Sequence, residues 1–241
     1  MKRRNRLIIF ILIVAVLGAL LIAANTFLDG PDLTLENKNI LVLAGEKDEQ
    51  QGGSSDMAYM VHLENGSIQN YTPIYPGGMQ HPTEPCPYNN YSSQRMLLHD
   101  CCWYGPEKGM KFAKEIVEYN TGMKADAVII VYTDAIDAII DSIRPLKING
   151  VVTNLSAVDI VRENDAYSGY VGSHKGITGK MDRSDAVMVL AKALAKASKD
   201  PEKKSAMIQA AIEQYSKGNI LMQPQGSFTK LLAAKGFDSL F

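Results

Sequence analysis

The sequence predicts an α/β fold, a layered mixed sheet with helices on both faces, preceded by one N-terminal transmembrane helix. Two short runs, NILVLA at residues 39–44 and AVIIVY at Ala127–Tyr132, are continuous, apolar and rich in β-branched side chains. Such runs are typical of strands that are buried on both faces of a sheet. Amphipathic helical patterns flank the second run within residues 98–152. This alternation of helix and strand indicates a layered core.

The first of these helices begins near Pro106 and ends near Gly122. Proline suits the first turn of a helix, and glycine suits the left-handed residue that follows the last turn. The next helix starts after the second strand, where Thr133 or Asp134 can cap it, and Pro145 stops it. Between these signals the apolar residues recur with helical spacing, so we expect both helices to pack on the sheet.

Regular elements are also predicted on either side of this segment. The turn Glu64-Asn65-Gly66 separates two strand-like runs, and Asn-Gly is a strong hairpin signal. Residues 73–91 are rich in proline and tyrosine and predict a long loop without a regular element. Further helices are predicted at residues 154–162, 184–197, 200–218 and 227–235, with a glycine-rich loop at residues 164–180.

The N-terminus predicts a membrane anchor at residues 1–30. Four basic residues, Lys2, Arg3, Arg4 and Arg6, precede an uncharged apolar run at residues 7–24. The run approaches the ~20 residues that cross a bilayer, and no Ala-x-Ala cleavage site follows it. We therefore expect a single-pass protein of the cell membrane, with a cytoplasmic N-terminus and one extracytoplasmic domain at residues 31–241. A cleaved signal peptide is the alternative, and it leaves the domain on the same side.

The charge balance argues against a nucleic-acid partner. The chain has 25 Lys and Arg against 26 Asp and Glu, and the N-terminal basic cluster belongs to the cytoplasmic end. The exported part is therefore acidic, whereas a nucleic-acid surface needs clustered positive charge. The membrane is the partner that the sequence does indicate.

Three cysteines, Cys86, Cys101 and Cys102, lie close together in the exported part. Disulfides persist outside the cytoplasm, so we expect one between Cys86 and either Cys101 or Cys102. Unpaired thiols are one alternative. A zinc site that also uses His81 and His99 is another, although its ligand spacing fits no standard pattern.

Four Asn-x-Ser/Thr sequons begin at Asn65, Asn70, Asn90 and Asn154. In an exported domain they are candidates for N-glycosylation, provided that the organism has the machinery. The first three lie in the predicted hairpin and the loop after it, so glycans there would coat that part of the surface.

One segment resembles a known family. The pattern LHD..W begins at Leu98, and after a helix the pattern TG.K.DAVI.V...A.D.II..I.P..INGV follows. These patterns resemble an uncharacterised extracytoplasmic family, a domain of unknown function, that is similar to the LytR-CpsA-Psr proteins of cell envelopes. The resemblance implies an α/β fold. It also implies the transfer of a glycopolymer from a polyprenyl pyrophosphate carrier to the cell wall.

The resemblance, together with the cations that a phosphate site needs, gives a set of candidate site residues. Asp56 matches an aspartate that helps to hold magnesium in the catalytic group, with a turn or capping role as the alternative. Arg95 and Arg183 are arginines that a phosphate site would use, and Arg183 begins RSDAVMVLAKAL, which is similar to the last helix of that group. Asp100 and Trp103 belong to LHD..W, and the structural alternative is a turn cap with the tryptophan packed beneath it.

Two functions remain open. Arginines of the catalytic group are absent here, because Glu46-Lys47-Asp48 follows the first strand and IYPGG at residues 74–78 replaces a phosphate motif. Fixed cations usually supply the largest catalytic contribution for a leaving pyrophosphate. We therefore favour a non-catalytic module that binds a glycan or its lipid carrier during envelope assembly. The alternative is a phosphotransferase that attaches a glycopolymer from polyprenyl pyrophosphate to the cell wall, with magnesium.

Overall fold

The computed structural model describes residues 30–74, 78–88, 94–164, 183–227 and 229–230. The strands are β1 (Asn37–Glu46), β2 (Ser54–Glu64), β3 (Ser67–Ile74), β4 (Gln80–Pro85), β5 (Arg95–Leu97), β6 (Ala127–Tyr132), β7 (Leu146–Ile148), β8 (Val151–Thr153) and β9 (Ile220–Gln223). The helices are α1 (Pro106–Thr121), α2 (Thr133–Ser142), α3 (Ala157–Asn164), α4 (Arg183–Ala197) and α5 (Pro201–Ser216). A 3-10 helix spans Cys101–Tyr104. The predicted α/β fold is confirmed.

A five-stranded mixed sheet, in the order β3-β2-β1-β6-β9, forms the centre of the fold. Its middle strands, β1 and β6, are parallel neighbours, and the other neighbouring strands pair antiparallel. Both apolar runs identified in the sequence are therefore central strands. Because parallel strands point the same way, the carboxyl ends of β1 and β6 meet at one edge of the sheet.

The hairpin between β2 and β3 has the predicted turn. Asn65 and Gly66 both have positive φ angles, 49° and 71°, as a type I′ turn requires. This turn matches the twist of the flanking strands, so it fixes their register with Glu64 opposite Ser67.

Helices cover both faces of the sheet, as predicted. Alternate residues of β1 point to opposite faces. Leu41 and Leu43 pack in one core cluster with α1, whereas Ile40 and Val42 belong to a second cluster with α2 and α5. A third cluster joins α2, α3, α4 and the β7–β8 hairpin.

The helix ends show which local signals were sufficient. Gly122 ends α1 with a left-handed φ of 74°, and the Asp200 side chain accepts hydrogen bonds from the first turn of α5. The predicted cap of α2 is wrong, because Tyr132 occupies the cap position without a side-chain bond. Thr133 instead donates its hydroxyl to the Glu46 carboxylate, 2.8 Å away.

One loop prediction is wrong. Residues 80–85, inside the expected proline-rich loop, form β4 and pair with β5 in a separate two-stranded ladder. Prolines lack an amide donor, and a two-stranded ladder tolerates them because each strand has an unpaired edge. The composition of residues 80–85 therefore gave no signal for this strand, because its pairing depends on β5.

The predicted anchor lies at residues 1–30, and residues 1–29 are outside the described part of the chain. Within the described ranges, every helix is too short or too polar to cross a bilayer. The topology therefore stays a prediction.

Candidate functional site

A cavity of about 420 Å³ opens at the sheet edge where β1 and β6 end. The crevice beyond the carboxyl ends of parallel strands is a usual place for ligands in α/β folds. Most of its wall is apolar and comes from β6, α2, α3 and α4: Val131, Ile136, Val158, Val161, Val187 and Leu190. Its polar lining includes Glu46, Glu49, Asp56, Thr133 and Arg162.

A β-bulge brings Asp56 to this edge. The register of β1 and β2 changes from Ala44 opposite Met57 to Gly45 opposite Ser55, so Asp56 is the extra residue. A bulge bends the strand and redirects the side chain at that point. One Asp56 carboxylate oxygen, Oδ1, consequently lies 3.7 Å from Nε2 of His99.

The turn between β1 and β2 brings a second carboxylate to His99. Gly52 in this turn has a φ of +77°, and a Cβ there would lie 2.1 Å from the Cys102 carbonyl oxygen. Only glycine allows so close an approach between the turn and the 3-10 helix. The approach places Glu49 Oε2 at 3.6 Å from His99 Nε2.

Hydrogen bonds fix both the backbone and the imidazole ring of His99. The carbonyl oxygen of His99 accepts a hydrogen bond from the Ser55 amide, at 3.0 Å. The ring Nδ1 lies 2.8 Å from Asp100 Oδ1, and with Nδ1 as the donor the ring turns Nε2 toward Glu49 and Asp56. Asp100 thus orients His99, and its side chain makes no bond that caps the 3-10 helix.

Two aromatic residues support Asp100. The Tyr88 hydroxyl lies 3.3 Å from Asp100 Oδ1 and 2.7 Å from Gln50 Oε1. Trp103 packs edge-to-face on Tyr88, with ring centroids 4.7 Å apart. Trp103 is therefore part of the support around the site, and it is the only tryptophan in the sequence.

The pKa values of the cluster favour charged groups. The hydrogen bond to Asp100 raises the pKa of His99, and the nearby Glu49 and Asp56 charges add to this effect. A hydrogen bond from the Ser54 hydroxyl lowers the pKa of Glu49, and the His99 charge lowers it further. The charged imidazole of His99 and the carboxylates around it therefore stabilise one another electrostatically.

Glu49, Asp56 and His99 are a candidate metal site. Their nearest ligand atoms all lie within 4.8 Å of one another. The two carboxylates fit the predicted magnesium ion, because magnesium takes oxygen ligands and usually keeps several waters or substrate oxygens. Asp56 and Glu49 would hold such an ion, which supplies positive charge to a phosphate group.

A family profile described as "Protein of unknown function (DUF4012)" matches residues 36–167, which include every residue of this cluster. The chain belongs to the DUF4012 family. The prediction of a family without a known function is therefore confirmed. No curated protein matches the DUF4012 chain.

Several solved structures have a similar fold. Protein gbs0355 from Streptococcus agalactiae is 12% identical, with 82% of this chain and 75% of that chain covered and a TM-score of 0.50. TagV from B. subtilis is 14% identical, with coverage of 85% and 82% and a TM-score of 0.48. The LytR-CPS2A-psr family protein YwtF (TagT) with bound octaprenyl pyrophosphate lipid is 16% identical, with coverage of 89% and 78% and a TM-score of 0.44. At 12% identity, the similarity to gbs0355 concerns the fold alone.

The predicted site residues are only partly brought together. Asp56 and Asp100 meet through His99, and Trp103 lies behind them. Arg95 is elsewhere, because its Nη1 donates to the Thr83 carbonyl oxygen at 2.8 Å within the β4–β5 ladder. Arg183 begins α4, and its side chain is outside the described part.

Three site residues, Glu49, His99 and Arg162, were missed as members of this site. His99 stands within LHD..W, so the family pattern contained a signal for it. Glu49 precedes the Gly52-Gly53 turn, but its meeting with His99 depends on packing between segments about fifty residues apart. Arg162 reaches the cavity from α3, and no local pattern distinguishes it from a surface arginine.

The structure does not show the predicted disulfide, and Cys86, Cys101 and Cys102 are all free thiols in it. Cys101 and Cys102 are buried in the core, with sulfur atoms 3.7 Å apart, and a Cβ on Gly109 of α1 would lie 2.6 Å from Cys102 Sγ. Cys86 is half-buried just after β4. The core packing of the 3-10 helix thus directs both its thiols inward.

The alternative zinc site at the cysteines is not assembled either. His81 is buried, its Nε2 lies 2.8 Å from Glu115, and its Nδ1 accepts amide hydrogen bonds from Thr83 and Glu84. Both ring nitrogens of His81 therefore serve the packing of the β4 segment on α1.

Three of the predicted sequon asparagines, Asn65, Asn70 and Asn154, are exposed. Asn90 lies outside the described residues. Glycosylation stays a prediction, and the exposed positions are sterically open to it.

Proposed function

We propose that this DUF4012 protein is a membrane-anchored, extracytoplasmic protein of the cell envelope that binds a polyprenyl-linked glycan carrier without transferring the glycan. The observation that carries the proposal is the apolar cavity whose mouth bears a candidate cation site. Both features lie at the same edge of the sheet.

The cavity suits the apolar part of an amphiphilic ligand. Its volume of about 420 Å³ falls in the usual range for small-molecule sites. Aliphatic side chains from three helices form its wall, and they offer a polyprenyl chain a surface that removes it from water. The carboxylates at the entrance would then lie near the phosphate end of the same ligand.

The charge at the entrance supports binding over transfer. Arg162 is the one cationic side chain that lines the cavity among the described residues, whereas Glu46, Glu49 and Asp56 are acidic. An anionic pyrophosphate therefore needs a bound divalent cation to approach these carboxylates. Val187 lines the wall on α4 and offers no hydrogen-bond donor. Among the residues that the structure describes here, few fixed donors remain for the charge that a leaving pyrophosphate develops.

The location rests on the sequence. Residues 1–30 anchor the chain with the N-terminus in the cytoplasm. The domain then contacts lipid-linked glycans at the extracytoplasmic face of the cell membrane. A carboxyl-terminal tag should be cleaved by external protease in intact cells with a permeable wall. Complete protection of the tag would contradict this topology.

One incubation tests binding against transfer. The full-length protein in detergent is mixed with a polyprenyl pyrophosphate-linked glycan, a wall acceptor and magnesium, beside an Asp56→Ala variant. We expect donor to co-purify with the wild-type protein and acceptor to remain unmodified. Robust glycan transfer that Asp56→Ala abolishes would replace the binding module with the phosphotransferase.

A further inference from the structure

We infer that Glu49, Asp56 and His99 form a transition-metal site that binds Zn²⁺ more tightly than Mg²⁺, with His99 Nε2 as a ligand. The inference names the cation at the mouth of the cavity, and its biological role rests on the proposed function. The metal site itself can be tested without any lipid.

The distances within the cluster are close to those of a coordinated ion. His99 Nε2 lies 3.6 Å from Glu49 Oε2 and 3.7 Å from Asp56 Oδ1. In a tetrahedral zinc site with bonds of about 2.0–2.2 Å, neighbouring ligand atoms are roughly 3.3–3.6 Å apart. The three ligand atoms all lie within 4.8 Å of one another, so shifts of about an ångström or less would close the three side chains around one ion.

The imidazole is oriented in the manner of a metal ligand. Nδ1 of His99 lies 2.8 Å from Asp100, which is itself buried and contacts the Tyr88 hydroxyl. Metal-bound histidines usually donate their other ring N–H to a carboxylate, which fixes the tautomer and makes the free nitrogen more basic. The main chain is fixed too, through the bond from the Ser55 amide to the His99 carbonyl oxygen.

The donor set selects the type of ion. Magnesium is coordinated almost entirely by oxygen, whereas imidazole nitrogen suits zinc and its neighbours in the first transition row. Three protein ligands are the usual number in a zinc site that keeps one position open. Glu49 and Asp56 both line the cavity, so an open position would be accessible to a ligand that enters there.

The direct test is metal titration of the full-length protein in detergent after removal of metals with a chelator. Isothermal titration calorimetry with Zn²⁺ alone and with Mg²⁺ alone measures the two affinities, and Co²⁺ absorption reports the coordination. We expect one Zn²⁺ per chain, bound at least 100-fold more tightly than Mg²⁺. Equal or tighter binding of Mg²⁺ would overturn the inference.

Variants assign the ligands. His99→Ala and the more conservative His99→Gln should each weaken Zn²⁺ binding at least 100-fold and leave the weak Mg²⁺ binding nearly unchanged. Asp100→Asn, which removes the orienting charge, should weaken Zn²⁺ binding about 10- to 100-fold. His62→Ala is the matched control, because His62 contacts Asn39 near the far end of β2 and should leave the affinity unchanged.

The outcome is separable from that of the proposed function. Zinc affinity that His99→Gln leaves intact in a folded protein would refute the metal site, whether or not the protein binds lipid. Zinc binding that depends on His99 in a protein that fails to bind any polyprenyl carrier would instead refute the proposed function and keep the metal site.

Discussion

The two faces of the central sheet are built from the same strands but serve different purposes. On one face, α1 packs Met110, Ala113 and Ile116 against Leu41 and Leu43, and these residues are buried in one continuous cluster. On the other face, near the carboxyl ends of β1 and β6, the helices α2, α3 and α4 stand around a cavity of about 420 Å³. The α1 face is therefore packed throughout, whereas the other face combines buried clusters with an open space for a ligand.

The largest expected difference between the faces is in stability. Ile116→Ala removes a fully buried side chain and should lower the free energy of unfolding by about 2–5 kcal/mol. Val161→Ala should cost about 1 kcal/mol, because the half-buried Val161 side chain packs on one side only and borders the open cavity on the other. Urea denaturation of both variants measures the pair, and equal costs would contradict the comparison.

A second prediction concerns the contact that joins the site to the α1 face. Gly52→Ala should destabilise the protein by about 1–3 kcal/mol and weaken metal binding, because its Cβ would collide with the Cys102 carbonyl oxygen. Gly78→Ala is the matched control. Gly78 has a similar φ of +81°, but its Cβ would have no neighbour within 4 Å.

Both variants share the cost of a left-handed backbone conformation. Subtracting the stability loss of Gly78→Ala from that of Gly52→Ala therefore removes this cost. The remainder measures the packing of the β1–β2 turn against the 3-10 helix. Identical costs in thermal denaturation, with unchanged metal affinity for Gly52→Ala, would show that this packing does not hold the site together.

A third prediction concerns the pH dependence of stability, which we expect to reflect a tyrosine buried on the α1 face. Burial raises the pKa of Tyr132 to about 12, from an ordinary value of 10.0. Above pH 10 the unfolded chain loses the tyrosine proton while the folded chain keeps it, so stability falls between about pH 10 and 12. The loss is on the order of 1–2 kcal/mol, because one pKa unit corresponds to about 1.4 kcal/mol and solvent screening reduces the effect.

Tyr132→Phe should remove this part of the alkaline destabilisation. Denaturant midpoints of the two proteins, measured from pH 8 to pH 12, give the comparison. A wild-type midpoint that falls no more steeply than that of the variant would show that the hydroxyl is not enclosed in the folded state.

The sequence was most informative where a residue's environment is set by its neighbours along the chain. The runs that form β1 and β6, the Asn65-Gly66 turn and the Gly122 cap were all predicted from local patterns and are confirmed. The site was less predictable. Asp56 reaches it only because of a bulge, and its meeting with His99 depends on distant segments.

The predictions that the structure does not show have the same origin. Arg95 was placed in the site on chemical grounds, but it lies in the β4–β5 ladder. The sequence did not predict this ladder, because the prolines of β4 indicated a loop. The disulfide was predicted because disulfides persist outside the cytoplasm. The inward packing of Cys101 and Cys102 instead depends on the close fit of the 3-10 helix against Gly109. Composition indicates which residues can act, and tertiary contacts decide which of them meet.

The most direct test of the central claim is equilibrium binding of octaprenyl pyrophosphate to the full-length protein in detergent. Trp103, beside the site, reports binding through its fluorescence. Val187→Phe fills the cavity from α4, and Val151→Phe on the exposed β8 strand is the control. We predict saturable binding that requires a divalent cation, is weakened at least tenfold by Val187→Phe and is unaffected by Val151→Phe. Binding that Val187→Phe leaves unchanged, or no saturable binding with cation present, would contradict the assignment of this cavity to a lipid carrier.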